Sequence, residues 1–124
     1  MSFRNGIDSA GLRSNLLVLA LILGNLLFNV VANASFKVSA ESPGWRGFLT
    51  WQVIGNLAGL ITVITLTWLL RYIPLHVAFP VTTGLAVIGV QVVASKMLFE
   101  EAISTRDWVG TLLIVFGIIF LGEN

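Results

Sequence analysis

Asn25, Asn29, Asn33 and Lys37 follow one another at intervals of four. On a helix that interval keeps residues on one face, so three carboxamides and an ammonium form a continuous stripe. A carboxamide both donates and accepts hydrogen bonds without carrying charge. Such groups suit hydroxyls, phosphates and sugars, but they cannot run a proton cycle. Gln52 and Asn56 repeat the interval, and Thr83 and Gln91 add further polar positions downstream. One reading is hydrogen-bonding glue between helices, worth roughly 0.6–2 kcal/mol per contact in a membrane. The other is the lining of a substrate path. Three Asn in one apolar stretch exceed what packing needs, so Asn25, Asn29, Asn33, Gln52, Asn56, Thr83 and Gln91 are assigned to the path. Lys37, Arg46 and Lys96 are cations placed to hold a phosphate or lipid headgroup.

The missing chemistry is equally informative. There is no Cys and a single His, His76. Thiol nucleophiles, zinc-thiolate sites and histidine metal clusters are therefore excluded. No nucleophile–base pair appears, so neither an enzyme nor a cofactor is expected. No carboxylate lies between Asp8 and Glu41 or between Glu41 and Glu100. Proton-coupled exchange ordinarily uses a desolvated acid within a span. A formal charge of +1 and no basic run leave no footprint for nucleic acid.

These residues must be positioned by membrane helices. The 124 residues are 10% charged, against roughly 25% in soluble chains, and mean hydropathy is +0.94. Residues 14–36, 47–70, 72–95 and 108–122 hold no Asp, Glu, Lys or Arg. About 20 apolar residues cross a bilayer core as a helix. A single all-α domain over 1–124 is thus expected, a polytopic membrane protein with a polar lead at 1–13. Its four transmembrane helices fall near 14–35, 47–70, 74–99 and 104–122. The cluster Glu41-Ser42-Pro43-Gly44 should stop helix 1. Pro74 is expected in the first turn of helix 3, where its missing N–H costs nothing. Pro80 with Gly84 should bend that helix. Lys96 is expected to snorkel or to pair with Glu100. Trp45, Trp51, Trp68 and Trp108 fall near the span ends, as headgroup-level rings do. Arg4, Arg13 and Arg71 share one side, while Lys37, Arg46, Arg106 and the snorkelling Lys96 share the other, so the charge rule sets no orientation. Ala32-Asn33-Ala34 has a signal-peptidase form, but the preceding apolar run is too long and too amide-rich for a leader.

From Tyr72-Ile73-Pro74-x-x-x-Ala78-Phe79 onward the sequence resembles the small multidrug resistance branch of the drug/metabolite transporter superfamily. Glu101-Ala102-Ile103-Ser104, then Trp108 and Gly110, is similar to the segment opening the last helix of that superfamily. The resemblance covers about residues 14–122 and implies four spans working as a dimer. Gly110 and Gly117, seven apart, resemble its fourth-helix dimer seam. Aligning Lys37-x-Ser39 on the family's Lys-x-Ser puts Asn29 where the multidrug exporters hold a Glu. Phe79 stands for a Tyr and Thr82 for a Trp, and Ala86 replaces the second glycine while Gly84 keeps the first. Ala78-Phe79-Pro80 instead resembles small flippase-like members, among them the paired subunits proposed to move aminoarabinose-linked undecaprenyl phosphate.

The expected function is a transporter or flippase component in a bacterial-type inner membrane. It would move a polar or amphiphilic substrate, such as a lipid-linked sugar, by alternating access. Its partner would be a second copy or a similar four-span subunit, in contact with membrane lipid. Two other readings stay open: a proton-coupled exporter of small or toxic cations, and a non-transporting small subunit of a larger complex.

Overall fold

The computed structural model describes the backbone over 9–122 and side chains over 11–120. The remainder of the polar lead, including Arg4 and Asp8, lies outside the described residues, as do Glu123 and Asn124. Helix α1 spans Ser9–Glu41, α2 Trp45–Leu69, α3 Leu75–Gly89 and α4 Thr105–Gly122, with a π-helical segment Val90–Leu98 continuing α3. All regular structure among the described residues is helical. Three helices are long and apolar enough to cross a membrane, over Gly11–Glu41, Trp45–Leu69 and Leu75–Leu98. Helix α4 has 18 residues, or about 27 Å at 1.5 Å per residue, slightly less than the roughly 30 Å hydrocarbon core.

Helix α1 continues past Ser35, through Lys37, to Glu41. Nothing between Phe36 and Glu41 breaks a helix; the breakers are Pro43 and Gly44, and the turn falls there. Its closure is compact. Ser42 N–H donates to the Ser39 carbonyl at 3.1 Å, and the Ser42 hydroxyl donates to the Val38 carbonyl at 2.9 Å. The fully buried Ser39 hydroxyl donates across the hairpin to the Phe48 carbonyl at 2.8 Å and accepts from Gln52 Nε2 at 3.2 Å. Farther along, a Cβ on Gly55 would lie 2.5 Å from Cε1 of Phe36. The α1–α2 interface thus closes ring against backbone, and it is the most extensive in the fold.

Pro74 caps α3, which begins at Leu75, one residue later than expected. The helix runs unbroken through Pro80, so the missing N–H deprives only the His76 carbonyl of its helical partner. Departure from α winding comes later, at Val90. The π segment closes with Phe99 N–H on the Ala94 carbonyl and Glu101 N–H on the Ser95 carbonyl. The second bond is one residue wider than a Schellman closure, as π winding requires. Glu100 between them sits at φ 51°, in the left-handed region that usually falls to Gly or Asn. A capping box then opens α4: Ser104 N–H donates to Asp107 Oδ2, and Asp107 N–H donates to Ser104 Oγ, both at 3.1 Å.

Helix α3 packs on both α1 and α2, with Gly89 seated under Leu26 and Val30. Among the described residues α4 packs on α3 alone. Much of the apolar surface therefore faces outward, as lipid-facing helices require.

Candidate functional site

The amide stripe is wired in series. Asn33 Nδ2 donates to the Asn29 carbonyl at 2.8 Å. Asn29 Nδ2 donates to the Asn25 side-chain oxygen at 2.9 Å and to its carbonyl at 3.1 Å. Asn25, only 3% exposed, turns the chain outward to α2. Its amide donates to the Thr62 carbonyl at 2.9 Å and to Thr65 Oγ1 at 3.1 Å. An amide so placed acts as glue between α1 and α2. Asn33, by contrast, is exposed and bonds only along its own helix.

Beside this chain lies an inner cleft of about 220 Å³, walled by α1, α2 and α3. Asn25, Asn29 and Thr83 line it together with Thr62, Thr82 and Phe79, and Val63, Leu66 and Ala86 supply the apolar wall. Several of its polar groups are already engaged. Thr82 donates to the Ala78 carbonyl at 2.9 Å and Thr62 to the Gly59 carbonyl at 2.6 Å, while the Thr62 carbonyl accepts from Thr65, outside the cleft, at 2.9 Å. Among the described residues, the Asn29 side-chain oxygen accepts no bond and the Thr83 hydroxyl makes none. These two groups are what the cleft offers to a ligand. No carboxylate lines it.

An outer cleft of about 460 Å³ lies where the π segment, the 99–104 link and the start of α4 meet. Gln91, Ser95, Glu101, Arg106, Asp107 and Thr111 supply its polar lining. Lys37 reaches across from α1 to Glu101 Oε2 at 3.1 Å while holding Glu41 at 3.4 Å. This link puts the α1–α2 turn and the α3–α4 link at the same end of the bundle. Arg46, Lys96 and Arg106 make no ion pair among the described residues, and Lys96 does not pair with Glu100.

The structure therefore distributes the seven path residues over different surroundings. Asn25, Asn29 and Thr83 share the inner cleft, and Gln91 belongs to the outer one. Gln52 bonds to Ser39 near the hairpin turn, and the exposed Asn56 donates back to the Gln52 carbonyl at 2.7 Å; neither lines a cleft. Of the three cations, Lys37 is held by two carboxylates, and Arg46 and Lys96 are exposed. Gly84 is buried, and a Cβ added there would lie 3.9 Å from Ile118 of α4, while Gly110 and Gly117 face open space. Sequence reasoning missed the outer cleft's Ser95–Glu101–Arg106–Asp107–Thr111 grouping. The Ser104-x-x-Asp107 pattern was a readable signal for one edge of it.

No family model matches the chain, and no solved structure does. A curated relative, the Erwinia tasmaniensis protein named probable 4-amino-4-deoxy-L-arabinose-phosphoundecaprenol flippase subunit ArnE, is 31% identical over 108 residues. The match covers 86% of this chain and 96% of the relative. That relative is named as a probable flippase subunit, a transport role, and the expectation that this chain is not an enzyme agrees with it. Together with the three long apolar helices, the likeness makes this an integral membrane protein of the transporter type, and the chain belongs to the family of the flippase subunit ArnE.

Proposed function

We propose that the protein is one subunit of a flippase that moves a lipid-linked sugar headgroup past the inner cleft by alternating access. The observation that carries this reading is an uncharged cleft, offering the Asn29 carboxamide oxygen and the Thr83 hydroxyl, enclosed by three apolar helices. Such a lining meets sugar hydroxyls without the cost of burying a charge. The relative's name supports a phosphoundecaprenol-linked amino sugar as the substrate class. On this reading α4 is a fourth span, Gly110 borders the outer cleft, and the α4 face at Gly117 is open for a second four-span subunit or a second copy in a bacterial-type inner membrane. Asn29→Leu and Thr83→Val should abolish sugar-lipid translocation in reconstituted vesicles while the protein stays folded. Translocation at the wild-type rate in both variants would sink the assignment.

The described carboxylates Glu41, Glu100, Glu101 and Asp107 all stand at helix ends or in links. That distribution argues against a proton-coupled cation exporter, which would need an acid within the cleft. The remaining alternative, a subunit that only supports its partner, predicts that both variants change assembly and leave substrate handling intact.

A further inference from the structure

We infer that the outer cleft is a recognition site for a zwitterionic headgroup, with Arg106 taking a phosphate and Glu101 and Asp107 taking an ammonium. The inference rests on the reading above, that the protein handles a lipid-linked amino sugar, and it adds where and how that headgroup is read.

The charge pattern comes first. The cleft carries one guanidinium and two carboxylates, and Lys37 supplies a second cation against one of those carboxylates. Lys37 is shared with Glu41, so carboxylates outnumber cations by one here, yet Arg106 stands unpaired among the described residues. A simple anion placed here would meet two carboxylates, and a simple cation would meet Arg106. A ligand bearing both charges satisfies both sets. Arg106 has no ion-pair partner among the described residues, so its planar fork is free for the paired hydrogen bonds that phosphate accepts. Asp107 uses Oδ2 in the helix cap and Glu101 uses Oε2 for Lys37. Each keeps a second oxygen for an ammonium.

The remaining polar lining supplies neutral hydrogen-bonding groups. Gln91 and Ser95 come from the π segment and Thr111 from α4, which suits the hydroxyls of a sugar ring. A volume of about 460 Å³ falls within the range that holds small ligands. Position agrees as well. The cleft lies at the end of the bundle marked by Lys37, Arg46, Lys96 and the α4-opening Trp108, where headgroups meet the helices. The inner cleft holds no charged side chain, so recognition of charge has to occur outside it.

The test uses the full-length protein in nanodiscs and equilibrium binding read by native mass spectrometry. The probes are undecaprenyl phosphate linked to 4-amino-4-deoxy-L-arabinose, the same lipid N-acetylated, undecaprenyl phosphate alone, and inorganic phosphate. The amino lipid should bind tightest, and N-acetylation should weaken it about tenfold or more, since it removes the ammonium. Arg106→Gln should weaken both sugar lipids by about tenfold to a hundredfold. Glu101→Gln should erase the preference for the amine while leaving the acetylated lipid's affinity in place, a pattern that mere loss of folding does not give. Asp107→Asn provides a second variant with the same expected loss of preference. Inorganic phosphate binding as tightly as the lipid would overturn the inference in favour of a free-anion site. Equal binding of the amine and the acetamide would overturn it too. So would amino-lipid binding unmoved by Arg106→Gln but lost in Asn29→Leu, which leaves the flippase reading standing. Failure of the wild-type protein to bind any of the lipids would overturn both.

Discussion

Replacing Asn25 by Leu separates the structural part of the amide stripe from the rest. The side chain is 3% exposed and sends two hydrogen bonds to α2, 2.9 Å to the Thr62 carbonyl and 3.1 Å to Thr65 Oγ1. Leu keeps similar bulk and removes both. Interhelical hydrogen bonds within membranes average about 0.6 kcal/mol and reach about 1.7 kcal/mol, so the pair contributes roughly 1–3 kcal/mol to α1–α2 association. The stranded groups add little. The Thr62 carbonyl still accepts from Thr65 Oγ1 at 2.9 Å, and Asn29 Nδ2 keeps the residue 25 carbonyl at 3.1 Å. Unfolding in mixed micelles, titrated with a denaturing detergent, measures the loss. Asn33→Leu is the paired control, because Asn33 is exposed and bonds only to the Asn29 carbonyl of its own helix. It should fall within about 0.5 kcal/mol of wild type, as surface changes do. A double-mutant cycle of Asn25→Leu with Thr65→Val should show coupling of about 0.5 kcal/mol or more. Equal stability of Asn25→Leu and Asn33→Leu, with no coupling to Thr65, would refute the assignment of Asn25 as interhelical glue.

Three further outcomes test the packing and the turns. Gly55→Ala should destabilise by about 1–3 kcal/mol, because its Cβ would meet the Phe36 ring at 2.5 Å, whereas Gly59→Ala faces open space and should be neutral or stabilising; Phe36→Leu should rescue the first variant in the same detergent titration. Glu100→Gly should raise thermal stability by up to about 1 kcal/mol, since Gly occupies φ 51° without steric penalty; a loss of stability would show that the Glu100 side chain matters more than its backbone. Ser39→Ala should cost about 1 kcal/mol, because it removes the buried hydroxyl's bond to the Phe48 carbonyl and the one it accepts from the Gln52 amide across the hairpin; stability equal to wild type would remove the hairpin-locking role of that hydroxyl.

The helices were legible because charge-free runs and breakers are local signals. Even the misplaced end of α1 follows from local signals, since Lys37 does not break a helix whereas Pro43 and Gly44 do. Spacing likewise put Asn25, Asn29 and Asn33 on one face. What spacing could not supply was the partner. Asn25 bonds to a backbone carbonyl of α2, and every residue has such a carbonyl. The Lys37–Glu101 pair joins segments far apart in the chain, so only tertiary packing reveals that Lys37 is occupied. The π winding was equally hidden. Pro80 and Gly84 marked where helix 3 ought to bend, yet the change of winding begins at Val90, among residues that ordinarily continue an α-helix.

The division between an uncharged inner cleft and an outer one bearing charges of both signs bears on how a headgroup could cross without a buried acid. An isolated ion near the bilayer centre costs several kcal/mol or more unless it is paired. A proton-coupled exporter meets that cost with a carboxylate in the span, where the charges cancel. If Asn29 lines the path as proposed, it offers no such cancellation, and the cargo would have to arrive nearly neutral. A headgroup whose ammonium offsets its phosphate meets that condition, and carboxamide and hydroxyl groups then suffice along the path. The same logic ties the two sites together: introducing a charge at the inner cleft, as in Asn29→Glu, should favour cationic cargo and impair a zwitterion, leaving affinity at Arg106 unchanged. Transport of the amino lipid undiminished by Asn29→Glu would break that link, because a carboxylate in the cleft would then carry no penalty for a headgroup already balanced in charge.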